Sequence, residues 1–219
     1  MALKADRKLA GWLAFAGIFA ALSYAGRFAG GEQPEDLLYR WSTVVLGIVQ
    51  YAIIIGVLLL IARGLPKREA FALRRPTSWP TALLLTGGLF LGILVFSGIL
   101  SPFINPGEEQ GLVPEKWEAS RAAAFAANAV VVTALAPVVE EMTFRGLGFT
   151  LLLRFGRWTA IVAIGILFAL VHGLVEGFPI LAVFGGALAY LRSRTGSIYP
   201  AILLHAAFNG FALGASLLV

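Results

Sequence analysis

Seven runs of predominantly apolar residues succeed one another along the chain, parted by short polar or basic breaks. They are Leu9–Gly26, Ser42–Ala62, Thr81–Leu100, Ala122 to about Phe155, Trp158–Val175, Phe178–Leu191 and Ile198 to the C-terminus. A helix needs about 20 such residues to cross the hydrocarbon layer of a bilayer, so each run reads as a spanning helix, the sixth being short. The pattern predicts an all-α, polytopic integral membrane protein with about seven transmembrane helices. No period of roughly 20 to 50 residues repeats and no low-complexity tract interrupts, which favours one integrated membrane domain. Within it, residues 1–120 carry the first three helices and a basic loop, and residues 121–219 carry the remaining helices with the chemistry-bearing side chains.

Composition narrows the class. Only 13% of the 219 residues are charged and 59% are hydrophobic, whereas a soluble domain carries about 25% charged residues. Soluble globular and disordered classes are excluded, and the lack of cysteine excludes a disulfide scaffold. The formal charge of +5 reads as topology. Assigning the breaks alternately to two sides puts thirteen of the 17 Lys and Arg on one side: Lys4, Arg7, Lys8, Arg63, Lys67, Arg68, Arg74, Arg75, Arg145, Arg154, Arg157, Arg192 and Arg194. The other side receives Arg27, Arg40, Lys116 and Arg121, together with Glu32, Glu35, Asp36, Glu108, Glu109, Glu115, Glu118 and Glu176. By the positive-inside rule the N-terminus is cytoplasmic and the C-terminus outside, with the lipid bilayer rather than nucleic acid as the partner.

Three local features carry expectations of their own. Lys4, Arg7 and Lys8 before Leu9–Ala25 have the layout of a secretory signal peptide, but six further runs follow, and a retained first helix is the reading adopted. The inner loop Arg63–Pro80 is expected to lie along the cytoplasmic membrane surface, and the outer loop Ser101–Glu118 to be solvated. Gly88 and Gly92 form a GxxxG in the third run, a mark of close helix packing.

Ionisable groups inside a span are costly and point to function. Glu140 and Glu141 in the fourth run, His172 in the fifth and His205 in the seventh qualify, and the two histidines are the only ones in the chain. Asn209 stands one turn beyond His205 on the same helical face. Glu140 and His172 are each sixteen residues from Gly156 in the turn between the fourth and fifth runs. Their depth is therefore equal, roughly 24 Å at 1.5 Å per residue. His205 is only about nine residues, roughly 13 Å, from the turn near Gly196. Either the hairpin of the fourth and fifth helices projects past the cytoplasmic face, or the helix ends differ from those read here.

Glu141 precedes Arg145 by four residues, the spacing of an orienting ion pair. Glu140, with Phe144 at that spacing, stays available as a general base toward water, with His172 as its partner. Pro137 is expected to bend the helix and free backbone carbonyls. The N–H groups of His205 and Asn209, on one helix face, suit an oxyanion formed during attack on an amide. The set amounts to an amide hydrolase in a cavity between the fourth, fifth and seventh helices.

The strings Glu140-Glu141-Met142-Thr143-Phe144-Arg145, Phe168-Ala169-Leu170-Val171-His172 and His205-Ala206-Ala207-Phe208-Asn209 read EExxxR, FxxxH and HxxxN. Their succession resembles the CPBP family of intramembrane endopeptidases, which includes the type II CAAX prenyl proteases and the bacteriocin-processing and immunity proteins of the Abi group. The inner-loop string Phe71-Ala72-Leu73-Arg74-Arg75-Pro76 resembles a segment upstream in that family. The resemblance implies that Glu140 and His172 activate water and that His205 and Asn209 form the oxyanion site. It further implies that Glu141 and Arg145 support the first motif and that Phe168 packs near the site. It implies no cofactor, a membrane-embedded or lipidated polypeptide substrate, and a multi-pass protein of a prokaryotic plasma membrane.

Two other readings stay open at this point. Glu140, His172 and His205 fill three positions of a zinc site and leave a fourth for water. Mid-membrane carboxylates and histidines also serve proton-coupled transporters, and an immunity or partner-binding protein carries such a fold without turnover.

Overall fold

The computed structural model describes residues 2–29, 36–104, 109 and 117–217, with side chains from residue 6 onward. Among these residues there are helices and turns but no strand. Seven long helical stretches follow the apolar runs: α1 (Ala2–Phe28), α2 (Trp41–Ile61), α3 (Trp79–Leu100), α4 (Ala119–Phe155), α5 (Arg157–Val171), α6 (Phe178–Thr195) and α7 (Tyr199–Ser216). The stretches Asp6–Phe28, Trp41–Ile61, Trp79–Leu100 and Ala119–Phe155 are long and apolar enough to cross a membrane, and α5 is a shorter apolar helix. The chain is a multi-pass integral membrane protein.

Its exterior matches that solvent. Leu46, Ile53 and Leu60 recur every seven residues on α2 and are exposed, as are Leu84 and Leu91 on α3. Such stripes lie on one helix face and form an apolar surface suited to lipid. The exposed tryptophans Trp41, Trp79, Trp117 and Trp158 all stand close to helix starts, where an amphipathic ring sits at a membrane–water boundary.

Segments assigned to one side by charge do meet at one end of the bundle. Lys8 Nζ donates to the carbonyls of Ile61 and Arg63 at 2.8 and 2.6 Å, and Arg154 pairs with Asp6. Arg74 Nε donates to the carbonyl of Gly196 at 2.7 Å. At the opposite end Arg27 Nε donates to the carbonyl of Gly173 at 2.7 Å. The first helix belongs to this packing throughout. Trp12 is fully buried and its indole N–H donates to the carbonyl of Thr143 at 3.0 Å.

Five expectations are corrected. First, α5 ends at Val171 rather than Val175, because Gly173 adopts φ +65° with Ser23 packed against it, so His172 occupies the helix cap. Second, the loop after α2 tucks into the bundle instead of lying on the surface. Ala70, Phe71 and Ala72 are buried, and Phe71 lies against Gly146, where a Cβ would stand 3.1 Å from its backbone. Third, Gly88 and Gly92 face open space, with nothing among the described residues within 4 Å of where a Cβ would stand. The close crossing is between α5 and α6, where a Cβ on Gly165 would stand 2.7 Å from the carbonyl oxygen of Ala182. Fourth, most of the outer loop 101–118, including Glu108 and Glu115, lies outside the described residues, but Glu109 is not a solvated loop residue. Its carboxylate accepts from the N–H groups of Val175 and Gly177 at 2.6 and 2.8 Å and pairs with Arg27 at 3.3 Å. Fifth, Arg145, counted among the cytoplasmic charges, is fully buried.

The glycine at 148 has the strictest packing. A Cβ there would stand 2.1 Å from the ring of Trp12. Gly148→Ala is expected to cost about 1–3 kcal/mol through overpacking, whereas Gly92→Ala, with open space around it, should change stability by less than about 1 kcal/mol. Thermal unfolding of the two variants side by side in detergent checks the contrast.

Candidate active site

The fourth helix is not a regular α-helix, and its irregularities lie at the site. It widens into π-helical turns at Val131–Leu135 and at Met142–Gly148, which flank the short α-helical segment Ala136–Glu141. Such turns are rare in helices and cluster at functional positions. In the first, the N–H of Ala136 bonds five residues back to Val131. The same step would pair residue 137 with Val132, but Pro137 has no N–H to give. The freed carbonyl of Val132 is taken by Asn209 Nδ2 at 2.9 Å. The expectation that Pro137 frees a carbonyl thus acquires a location, and the proline on α4 orients an amide on α7. One N–H of that carboxamide is used here, and a second is left for other work.

Glu140 stands at the centre of the polar group. Its Oε1 accepts from the Tyr51 hydroxyl at 3.2 Å. Its Oε2 makes no hydrogen bond among the described residues and lies 3.9 Å from His172 Nε2 and 3.8 Å from His205 Nε2. Both histidines therefore turn the same ring nitrogen toward one carboxylate oxygen. The other ring nitrogens are engaged. His172 Nδ1 lies 2.6 Å from the carbonyl of Phe168, which only accepts, so Nδ1 carries the proton. His205 Nδ1 lies 2.9 Å from Glu141 Oε1.

Beneath this group lies an ion pair with no exposed surface. Arg145 Nη1 donates to Glu141 Oε1 at 2.9 Å, and both side chains are 0% exposed. Arg145 Nη2 donates to the carbonyl of Gly185 on α6 at 2.8 Å, and its guanidinium lies over the Phe168 ring at 4.4 Å. Phe168 is itself fully buried, 4.5 Å from the His172 ring and 5.8 Å from the His205 ring. The spacing of Glu141 and Arg145 predicted the pair. It did not reveal that the pair also holds His205.

A cavity of about 440 Å³ opens beside these groups, lined by Tyr51, Glu140, His172, Phe184, His205 and Asn209 among others. All four residues singled out for chemistry reach it, so the sequence-derived constellation is one place in the molecule. The cavity is broader than a space between α4, α5 and α7. Phe15, Phe19 and Ser23 of α1, Gln50, Tyr51 and Ile54 of α2, and Leu181 and Phe184 of α6 complete the wall. Tyr51 was missed in the sequence, where its one available signal was the adjacent polar pair Gln50 and Tyr51 in the middle of an apolar run. Among the described residues, no group of three or more His, Cys, Asp or Glu side chains is arranged to hold a metal ion.

Residues 122–211, which contain every one of these motif positions, match the family model described as Rce1-like, the type II CAAX prenyl endopeptidases. The match makes that segment, less than half of the chain, similar to the CPBP/CAAX-protease family. Comparison with curated proteins and with solved structures found no significant match. The family points to a protease acting on a membrane-associated polypeptide. The match covers the cavity walls on α4 to α7 and leaves out α1 and α2, so the wall that carries Tyr51 lies outside the CAAX-protease segment.

The buried pair and the surface pair at Arg154 should behave differently. Arg145→Ala leaves Glu141 charged and dry and is expected to cost roughly 3–5 kcal/mol. Arg154→Ala, which breaks the exposed contact with Asp6, should cost less than about 1 kcal/mol. Unfolding curves in detergent read both.

Proposed function

We propose that this CAAX-protease-family protein is a glutamate-dependent intramembrane endopeptidase. The observation that carries the reading is the approach of His172 Nε2 and His205 Nε2 to the Glu140 oxygen that has no hydrogen-bonding partner among the described residues. At 3.8–3.9 Å these contacts are too long for direct hydrogen bonds and suit a bridging water. A water held by Glu140 Oε2 and His172 Nε2 loses a proton to the carboxylate as its oxygen attacks the scissile carbonyl carbon. The oxyanion that forms accepts from the free N–H of Asn209 and from His205 Nε2 when that ring is doubly protonated. Glu141 Oε1, 2.9 Å from His205 Nδ1, fixes the orientation of that ring. As the tetrahedral species collapses and the C–N bond breaks, the proton on Glu140 passes to the leaving amine. The half-buried cavity limits competing water and strengthens each of these interactions.

The substrate on this reading is a membrane-anchored or prenylated polypeptide whose scissile bond enters the cavity from the end of the bundle that carries the basic residues. Seven crossings with the N-terminus in the cytoplasm and the C-terminus outside put that end at the inner leaflet. The chemistry is proposed to need no metal.

The test uses a farnesylated peptide ending in a CAAX sequence, in detergent micelles, with products read by mass spectrometry. Glu140→Gln and His172→Ala should each lose about 10²-fold or more in rate, and Asn209→Ala about 10²–10³-fold. Wild-type activity should survive chelators. Cleavage by Glu140→Gln at the wild-type rate would overturn the mechanism, and loss of activity with EDTA that zinc restores would favour a metal centre instead.

A further inference from the structure

Among the described residues the Tyr51 hydroxyl is the one donor that reaches Glu140 from outside the matched segment, and it touches the oxygen that the histidines do not. A carboxylate on a flexible side chain can present either oxygen to its neighbours. Among the described residues Tyr51 is the hydrogen-bond partner that makes the two unequal: Oε1 is held at 3.2 Å and Oε2 is left bare between His172 Nε2 and His205 Nε2. A phenol suits this task. It donates at neutral pH, has a rigid ring with few rotatable bonds, and keeps its apolar body against the membrane interior.

We infer that Tyr51 is a positioning residue for Glu140, fixing the carboxylate so that one defined oxygen faces the two histidines. The inference rests on the proposed role of Glu140. It extends the functional unit to α2, an element that none of the three sequence motifs includes. Tyr51 lines the same cavity as Glu140, and Ile54, one turn further along α2, lines the same wall without offering a donor. The remaining ionisable groups around Glu140 are His172, His205, Arg145 and Glu141, and all are unchanged in the variants below.

The experiment compares wild type, Tyr51→Phe, Ile54→Ala and Glu140→Gln in detergent, by two readouts. Infrared spectroscopy follows the carboxylate stretch assigned to Glu140 by its loss in Glu140→Gln. Kinetics on the farnesylated CAAX peptide separate kcat from KM. Tyr51→Phe keeps the ring and removes only the donor. It should shift the Glu140 band and lower kcat on the order of tenfold to a hundredfold, as misorientation of a reacting group does, with KM within about twofold of wild type. Ile54→Ala should leave the band in place and act through KM.

A Glu140 band in Tyr51→Phe that coincides with wild type overturns the inference, whatever the activity. So does a kcat loss no greater than that of Ile54→Ala. If the band shifts in Tyr51→Phe while Glu140→Gln cleaves normally, the hydrogen bond stands and the proposed role of Glu140 fails. The two failures are thus distinguishable.

Discussion

The buried ion pair of Glu141 and Arg145 is the interaction on which the rest of the site depends. Two charges without exposed surface carry a desolvation cost of several kcal/mol each, offset only where geometry is good and further hydrogen bonds are made. Both conditions hold at Glu141 Oε1 and at the terminal nitrogens of Arg145, while Glu141 Oε2 and Arg145 Nε have no hydrogen-bond partner among the described residues. Glu141 Oε1 receives Arg145 and His205, and Arg145 in turn reaches the Gly185 carbonyl and the face of Phe168. One pair on α4 thereby engages α5, α6 and α7. The requirement for partners converts an unfavourable burial into a specification of where three neighbouring helices must be. It also explains the small residues around it, since Gly165 and Gly185 let α5 and α6 come close enough for a backbone carbonyl to meet the guanidinium.

The second organising feature is the distortion of α4. Regular α-helical spacing would pair the Val132 carbonyl with the N–H of Ala136 and leave it unavailable to Asn209. The π-helical turns on either side of Ala136–Glu141 loosen the helix where polar groups gather. They are held from outside, by Asn209 on the Val132 carbonyl and by Trp12 on the Thr143 carbonyl. The distortion is local and its partners are distant in sequence, which is how a membrane helix tolerates irregular backbone. The two depths that disagreed by simple counting, about 24 and 13 Å, converge on one carboxylate oxygen. At the turn of the hairpin of α4 and α5, Arg154 meets Asp6 near the start of α1.

The loop that carries His172 is set by a third group of contacts. Ser23, Tyr24 and Arg27 of α1 donate in turn to the carbonyls of Val171, Leu174 and Gly173, and Glu109 closes on the amides of Val175 and Gly177. A histidine at a helix cap would otherwise sit on a frayed end. Four side chains from outside the motif region hold it, and a single chain offers no pattern from which such a clasp could be read.

Much of the protein was legible in its sequence because a bilayer imposes strong, local rules. Run length marked the long helices of the described residues to within a few residues at most ends, and the scarcity of ionisable residues in those runs made Glu140, Glu141, His172 and His205 conspicuous. The i,i+4 spacing sufficed for the pair of Glu141 with Arg145, since both partners share one helix. What spacing could not convey were contacts that depend on rotation and tilt between helices. The GxxxG of α3 faces open space while an unflagged glycine, Gly148, packs on Trp12. Phe71 enters the core instead of resting on the membrane surface. The sequence by itself determined the solvent, the helices and which polar residues lie within apolar runs, because each follows from composition and from periodicity within one segment. Only the tertiary structure decided that Glu140 presents one oxygen to both histidines and the other to Tyr51. That division arises from four helices meeting at a point, and no single helix encodes it.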